Sequence, residues 1–175
     1  MAYTMTHILI AEKVLEDIKM PVDYSTYIVG AIAPDAVHAS PNYTRIMKEK
    51  SHLFAEGAIW GKVTKESELH DWLESIRIFY ISNCDKYNRD FFLGYIVHVL
   101  TDVCSCRQIF APFYHSTSKE SFDYKMEQFF EFEFTPRDMK DIIRNEICTI
   151  DNTNELIMSA PQIIKQWLGE NSTIK

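Results

Sequence analysis

The sequence predicts an all-α fold, a single-domain bundle of about six to eight helices that spans residues 1–175. Apolar residues recur at three- and four-residue steps along most of the chain, which is the period of a helix that buries one face. A chain of 175 residues with 46% hydrophobic side chains can build one sizeable core. No Gly-rich linker, charge block or internal repeat divides the sequence, so one domain is expected.

The first two helices are marked by a polar cap and by a proline. Thr6 is the expected N-cap of the first helix, which places His7 in its first turn. A second, short helix is predicted from about residue 24 to residue 32. It ends near Pro34, because the residue before a proline is pushed out of the helical region. Asp35 therefore begins a loop.

The middle of the chain alternates between irregular and strongly periodic segments. Residues 35–50, rich in Pro, Ser and Asn, are predicted to be irregular. Ser51 is expected to cap a short helix that starts with His52. Residues 65–82 and 89–111 carry apolar side chains at helical spacing. The second of these segments is predicted to be the longest apolar helix and to lie at the centre of the fold.

The last third of the sequence predicts shorter helices. Residues 118–133 have a helical pattern, although Phe130-Glu-Phe-Glu-Phe134 alternates as a strand would. A capped helix is predicted from 136 to about 148. The final helix spans about residues 153–168, and Pro161 either kinks it or divides it in two.

Composition disfavours several classes of partner, although a local basic patch is compatible with it. The balance of 18 Lys and Arg against 25 Asp and Glu gives a net charge of −7, which opposes binding to duplex nucleic acid or to an anionic membrane surface. The first residues lack the pattern of a signal peptide, and no apolar stretch of about 18 residues predicts a membrane span. Four cysteines fit reduced thiols in a cytoplasmic protein better than a disulfide framework.

His98 and Asp102 form the most suggestive pair of polar residues in the sequence. They lie four positions apart in the central apolar helix, so their Cβ atoms are roughly 5–6 Å apart on one face. The pair can bind a metal ion, or it can be a hydrogen-bonded structural pair. Gly94, one turn earlier on the same face, either allows a tight helix crossing or makes room beside a site.

Four short fragments, each with a residue of a type that binds metal, follow one another in a recognisable order. They are Thr6-His7-Ile-Leu-Ile-Ala11, Gly30-Ala-Ile-Ala-Pro34-Asp35, Ser51-His52 and Leu93-Gly-Tyr-Ile-Val-His98-Val-Leu-Thr-Asp102. Together they resemble the zinc-dependent phospholipase C family, an all-helical superfamily that includes fungal single-strand nucleases. The resemblance covers roughly residues 4–105.

The resemblance implies a zinc site and a metal-dependent hydrolase that cleaves a phosphoester or phosphodiester through a metal-activated water. The substrate would be a small phosphoester or a phospholipid head group. Asp35 is implied as the general base and Asp102 as a carboxylate that bridges two ions. The implied ligands are Asp35, His52, His98 and Asp102 for one ion, and His7 with Asp102 for its neighbour.

The chain departs from the family pattern downstream of the central helix. Gln108 stands near the place of an expected histidine, and His115 lacks a glutamate four positions later. We therefore expect one or two zinc ions, or other divalent transition metals, in place of three.

Two alternatives remain open at this stage. His52, His70-Asp71 and Asp102 also match the order of ligands in HD-type metal phosphohydrolases, although His70 and Asp71 can equally form the polar face of a helix. A non-catalytic helical domain with a structural metal site is the other alternative. His38 is interpreted as an exposed loop residue, and Tyr95 as a packing residue whose hydroxyl is satisfied.

Overall fold

The computed structural model describes residues 4–58, 63–118, 120 and 149–171, and in these ranges all regular elements are helical. The all-α prediction is therefore confirmed. The elements are α1 (Thr4–Ile18), α2 (Tyr24–Ile32), a 3₁₀ helix (Ala33–Ala39), α3 (Arg45–Ser51), α4 (Glu66–Asn83), α5 (Arg89–Ser105), a π-helical segment (Cys106–Phe110), α6 (Ala111–Ser116) and α7 (Ile150–Asn171). The helices predicted over 118–133 and 136–148 lie outside the described residues, apart from residues 118 and 120.

Side-chain caps fix the starts of α2 and α5 next to each other. The carboxylate of Asp23 accepts a hydrogen bond of 2.8 Å from the Thr26 amide, and the Asp23 amide donates one of 2.7 Å to Asp90. The side chain of Asn88 accepts from the amides of Asp90 and Phe91 at 3.0 and 3.1 Å. Asp90 thus links the first turns of both helices.

Two glycines allow α2 and α5 to cross in close contact. A Cβ atom at Gly94 would overlap the carbonyl oxygen of Tyr27, and one at Gly30 would overlap the carbonyl oxygen of Phe91. The tight-crossing interpretation of Gly94 is therefore correct. The buried hydroxyl of Tyr27 donates a 3.0 Å hydrogen bond to the Ala11 carbonyl oxygen. This bond links α1 to the crossing of α2 and α5.

Two local predictions in the first part of the chain are wrong. Helix α1 begins at Thr4, so Thr6 is a buried residue inside the helix and not its N-cap. Asp35 does not begin a loop, because the chain continues from α2 directly into the 3₁₀ helix, with Pro34 in its first turn. A proline is tolerated there since its missing amide has no partner in a first turn.

His52 follows a helix and does not begin one, which is a third correction. Helix α3 occupies part of the segment predicted to be irregular and ends at His52 as its C-cap. The amide of Leu53 bonds to the Lys50 carbonyl at 3.2 Å, and that of Phe54 bonds to the Glu49 carbonyl at 3.0 Å. This is a Schellman motif, with Leu53 at φ 57° where glycine is usual.

Helix α5 lies at the centre of one hydrophobic core. Almost all of its residues from Phe92 onward are buried. Helix α7 runs unbroken through Pro161, so the proline does not divide it. Core residues of the surrounding helices include Ile10 and Val14 of α1, Leu69 and Trp72 of α4, and Leu156 and Ile164 of α7. Within the described part of the chain, none of the helices has both the length and the apolar character needed to cross a bilayer.

Candidate metal centre

Five polar side chains from four parts of the chain meet inside the bundle, beside the α2–α5 crossing. They are His7 in the first turn of α1, Asp35 in the 3₁₀ helix, His52 at the end of α3, and His98 and Asp102 on one face of α5. These are the five residues that the sequence singled out.

The Nε2 atom of His52 lies at the middle of this group. It is 3.2 Å from Nε2 of His98, 3.3 Å from Oδ2 of Asp102 and 3.3 Å from Oδ1 of Asp35. The Nε2 atom of His98 is 3.9 Å from the Oδ2 atoms of Asp35 and Asp102. Donor atoms of His98, Asp102 and Asp35 therefore all lie within 3.3 Å of Nε2 of His52.

These separations fit a divalent ion. In a tetrahedral zinc site with bonds of about 2.0–2.1 Å, neighbouring donor atoms are about 3.3 Å apart. Ligand atoms of His52, His98 and Asp102 all lie within 4.8 Å of one another, and so do those of His7, Asp35 and His98. Neutral imidazoles with carboxylates are a donor set that zinc and similar ions prefer.

Backbone carbonyls orient both central histidines. Nδ1 of His98 is 2.7 Å from the Ala31 carbonyl oxygen, and Nδ1 of His52 is 3.1 Å from the Lys48 carbonyl oxygen. Nδ1 of His52 also lies 2.9 Å from the Ser51 hydroxyl. An Nδ1 hydrogen donated to a carbonyl leaves the lone pair on Nε2, which in both rings faces the cluster.

His7 adjoins the opposite oxygen of Asp102. Its Nε2 is 3.4 Å from Oδ1 of Asp102, whereas Oδ2 faces His52. The His7 ring stacks on the His98 ring with centroids 3.7 Å apart and planes 6° from parallel. Because the two oxygens of Asp102 face different histidines, this carboxylate is placed to bridge two cations.

Both carboxyl groups are ionised at neutral pH. Burial alone would raise the pKa of Asp102, but the adjacent His7 and His52 hold it well below its ordinary value. Burial and the nearby Asp102 carboxylate oppose ionisation of Asp35, whereas the adjacent His52 and the Lys48 ammonium group lower its pKa.

His98 is neutral in the folded protein. Burial lowers the pKa of His98 well below 6.5, and the interaction with the nearby His7 lowers it further, whereas Asp102 acts in the opposite direction. Neutral imidazole with ionised carboxylate is the protonation state that metal binding requires.

Asp35 lies at the accessible edge of the cluster. Its side chain is 26% exposed, while those of His7, His52, His98 and Asp102 are at most 1% exposed. The Nε2 atom of His38 is 3.9 Å from Asp35, and His38 itself is 35% exposed. Among the described residues of the cluster, Asp35 is therefore the one that is partly exposed, on the side of the 3₁₀ helix.

Lys48 is a member of the site that sequence reasoning missed. Its ammonium group forms an ion pair with Oδ1 of Asp35, and its side chain is only 3% exposed. A lysine in the polar run Lys48-Glu-Lys50 is usually solvated, so composition gave no indication of its burial. Its spacing four residues before His52 is the one signal that could have placed it beside that histidine.

Other candidate residues are engaged elsewhere. His70 and Asp71 are 81% and 69% exposed on α4, so they do not join His52 and Asp102, and the HD-type pattern has no counterpart in the described structure. His115 contacts the Thr64 carbonyl at 3.2 Å. Tyr95 is largely buried and donates to the Ser51 carbonyl, as a packing residue with a satisfied hydroxyl should.

The described cysteines are free thiols outside the cluster's donor set. Cys104 and Cys106 are buried, and burial raises the pKa of their thiols to about 12 and about 11. Neither is a reactive thiolate at neutral pH. Cys84 is partly exposed.

Comparison of the chain with models of protein families, with curated proteins and with solved structures gives no match. The geometry of the cluster therefore carries the functional argument.

Proposed function

We propose that this chain is a metal-dependent hydrolase of a phosphoester or phosphodiester, with one or two zinc ions held by the buried cluster. The observation that carries the proposal is the convergence of three histidines and two carboxylates, with donor atoms 3.2–3.3 Å apart around His52. The resemblance of the four sequence fragments to zinc-dependent phospholipases C agrees with it.

Each residue has a distinct part in the proposed site. His52 and His98 offer Nε2 lone pairs, since their Nδ1 atoms are occupied by backbone carbonyls. Asp102 supplies buried negative charge and faces His7 with its second oxygen. Asp35, ionised and at the accessible edge, accepts a hydrogen bond from the attacking water and orients it toward phosphorus.

A divalent ion would supply Lewis-acid stabilisation of the phosphoryl oxygens and a lowered pKa for water. His38, which is 35% exposed, lies next to Asp35, and the buried ammonium group of Lys48 contacts the same carboxylate. This arrangement suits a small anionic substrate such as a phosphoester or a phospholipid head group. We also propose a cytoplasmic location, in agreement with the free thiols of Cys104 and Cys106.

A structural metal site in a non-catalytic domain is the second candidate. It is favoured by one specific observation, the near-complete burial of four of the five residues. Structural zinc sites are closed, whereas catalytic sites keep a position open. The exposed fraction of Asp35 is the feature that favours catalysis.

Turnover of chromogenic phosphate esters separates the two candidates. Zinc-loaded protein should hydrolyse bis(p-nitrophenyl) phosphate or p-nitrophenyl phosphate, and Asp35→Asn should lower kcat by about 100-fold, since positioned acid–base groups contribute about 10²–10⁴-fold. Asp71→Asn, an exposed carboxylate on α4, is the matched control and should keep full activity. Bound zinc without turnover of either ester would support the structural candidate and contradict the hydrolase.

A further inference from the structure

Lys48 brings a buried positive charge to a cluster whose geometry suits a metal cation. Its side chain is 3% exposed and its ammonium group contacts Oδ1 of Asp35. A buried ammonium group strongly needs a negative partner, because loss of hydration is costly. A metal ion that binds Asp35 would share this carboxylate with Lys48, because the ammonium group already contacts it.

The backbone of Lys48 is fixed by the same site. Its carbonyl oxygen lies 3.1 Å from Nδ1 of His52 and accepts a 3.0 Å hydrogen bond from the Ser51 hydroxyl. The last turn of α3 thus holds Lys48 and His52 on one face, above Asp35. The ammonium cannot reach solvent unless the side chain leaves its buried position, so it remains close when the cluster is loaded.

Asp35 and Asp102 differ in the groups that would compete with a metal ion for their carboxylates. His52 Nε2 is 3.3 Å from an oxygen of Asp35 and 3.3 Å from an oxygen of Asp102, so both are placed alike with respect to this histidine. Asp102 is 1% exposed and faces histidines, whereas Asp35 is 26% exposed and faces an ammonium group. Asp35 is therefore expected to bind a metal ion more weakly than Asp102 does.

We propose that Lys48 competes with a bound divalent ion for the Asp35 carboxylate and makes Asp35 the weakest ligand of the cluster. This inference rests on the metal binding in the proposed function and does not require hydrolysis. A weakly held ligand at the accessible edge is the one that a phosphoryl oxygen can displace. Lys48 would thereby lower metal affinity while keeping one position exchangeable.

A double-mutant cycle on zinc affinity tests the competition. Zinc dissociation constants are measured by competition with a chromogenic chelator for the wild type, Asp35→Asn, Lys48→Met and the double variant. Lys48→Met should bind zinc at least about tenfold more tightly, because it removes a positive charge close to the ion. Lys50→Met, an exposed lysine of the same helix, is the matched control and should leave affinity unchanged.

The loss of zinc affinity caused by removing the Asp35 charge should depend on whether Lys48 is present. We expect Asp35→Asn to weaken zinc binding by less than about threefold in the wild type and by more than about tenfold in the Lys48→Met background. If Lys48→Met is unfolded by circular dichroism, Lys48→Gln takes its place, since it removes the charge and keeps a hydrogen-bond donor for Asp35.

Equal costs of Asp35→Asn in both backgrounds would overturn the inference, as would unchanged or weaker zinc binding by Lys48→Met. Absence of zinc binding in every variant would overturn it together with the proposed function. A protein that binds zinc with the expected coupling but hydrolyses no ester would contradict the hydrolase alone.

Discussion

The Nε2 atoms of His52 and His98 lie 3.2 Å apart, although the two rings come from different helices. The other nitrogen of each ring is close to a backbone carbonyl oxygen, so both lone pairs point toward the same place. Two such lone pairs repel each other unless a proton or a metal ion lies between them.

Trp72 fixes the backbone of His52 by a hydrogen bond. Its indole Nε1 donates a 2.7 Å hydrogen bond to the buried carbonyl of His52. Trp72→Phe should leave that carbonyl unpaired and lower the free energy of unfolding by about 1–3 kcal/mol in addition to the loss of packing. Urea unfolding measures the change. Trp167→Phe, at a half-buried position of α7, is the control, and a loss as large there would argue against the hydrogen bond as the cause.

Acid should lower the free energy of unfolding of the metal-free protein through the titration of two kinds of residue, a histidine and two carboxylates. The pKa of His98 is below 6.5 in the folded state, so below that pH the unfolded chain takes up a proton that the folded chain does not. The free energy of unfolding should therefore fall as pH decreases from about 6.5, by up to about 1.4 kcal/mol per pH unit. Asp35 and Asp102, whose pKa values are also lowered, contribute stability that is present above about pH 4 and lost below it.

Urea unfolding with chelator present, between pH 7.5 and 5, checks the histidine contribution. His98→Asn should make the dependence on pH shallower, whereas His70→Asn at an exposed position should leave it unchanged. A stability that is constant over this interval in the wild type would contradict the assignment of a neutral His98.

Comparing Asp102→Ala with His7→Ala tests whether the Asp102 carboxylate bridges two ions. It should remove the contact with both His7 and His52 and abolish zinc binding, so added zinc should no longer raise the unfolding temperature. His7→Ala should keep the ion at His52 and His98 and retain most of the zinc-dependent stabilisation. Asp71→Ala is the exposed control. An identical zinc response in the wild type and in folded Asp102→Ala would refute the bridging role.

Much of the site could be predicted because its residues stand at recognisable places in the sequence. The spacing of His98 and Asp102 in an apolar helix fixes their common face, and this face is buried as expected. The end of α3 could not be predicted, since Leu53, after the C-cap residue His52, adopts the left-handed conformation in which glycine would have marked the end. The burial of Lys48 depends on Asp35, which belongs to another element, so local sequence does not reveal it.

The crossing of α2 and α5 places His98 next to the Ala31 carbonyl. The close approach of these two helices should therefore contribute to the free energy of unfolding. Gly94→Ala would push a methyl group into the backbone of α2 and should cost about 3 kcal/mol of unfolding free energy. Gly169→Ala in α7 has open space around its Cβ position and should be neutral or stabilising by up to about 1 kcal/mol. Equal effects of the two substitutions in urea unfolding would argue against the tight crossing.

The zinc content of purified protein tests the central claim most directly. After expression with added zinc and purification without chelator, elemental analysis of the wild type should give about one to two equivalents, and the His52→Asn/His98→Asn double variant should give less than about 0.2. The His70→Asn/His115→Asn double variant changes the same number of histidines outside the cluster and should match the wild type. Less than about 0.2 equivalents in folded wild-type protein, or equal zinc in the His52/His98 variant, would contradict a metal centre at this cluster.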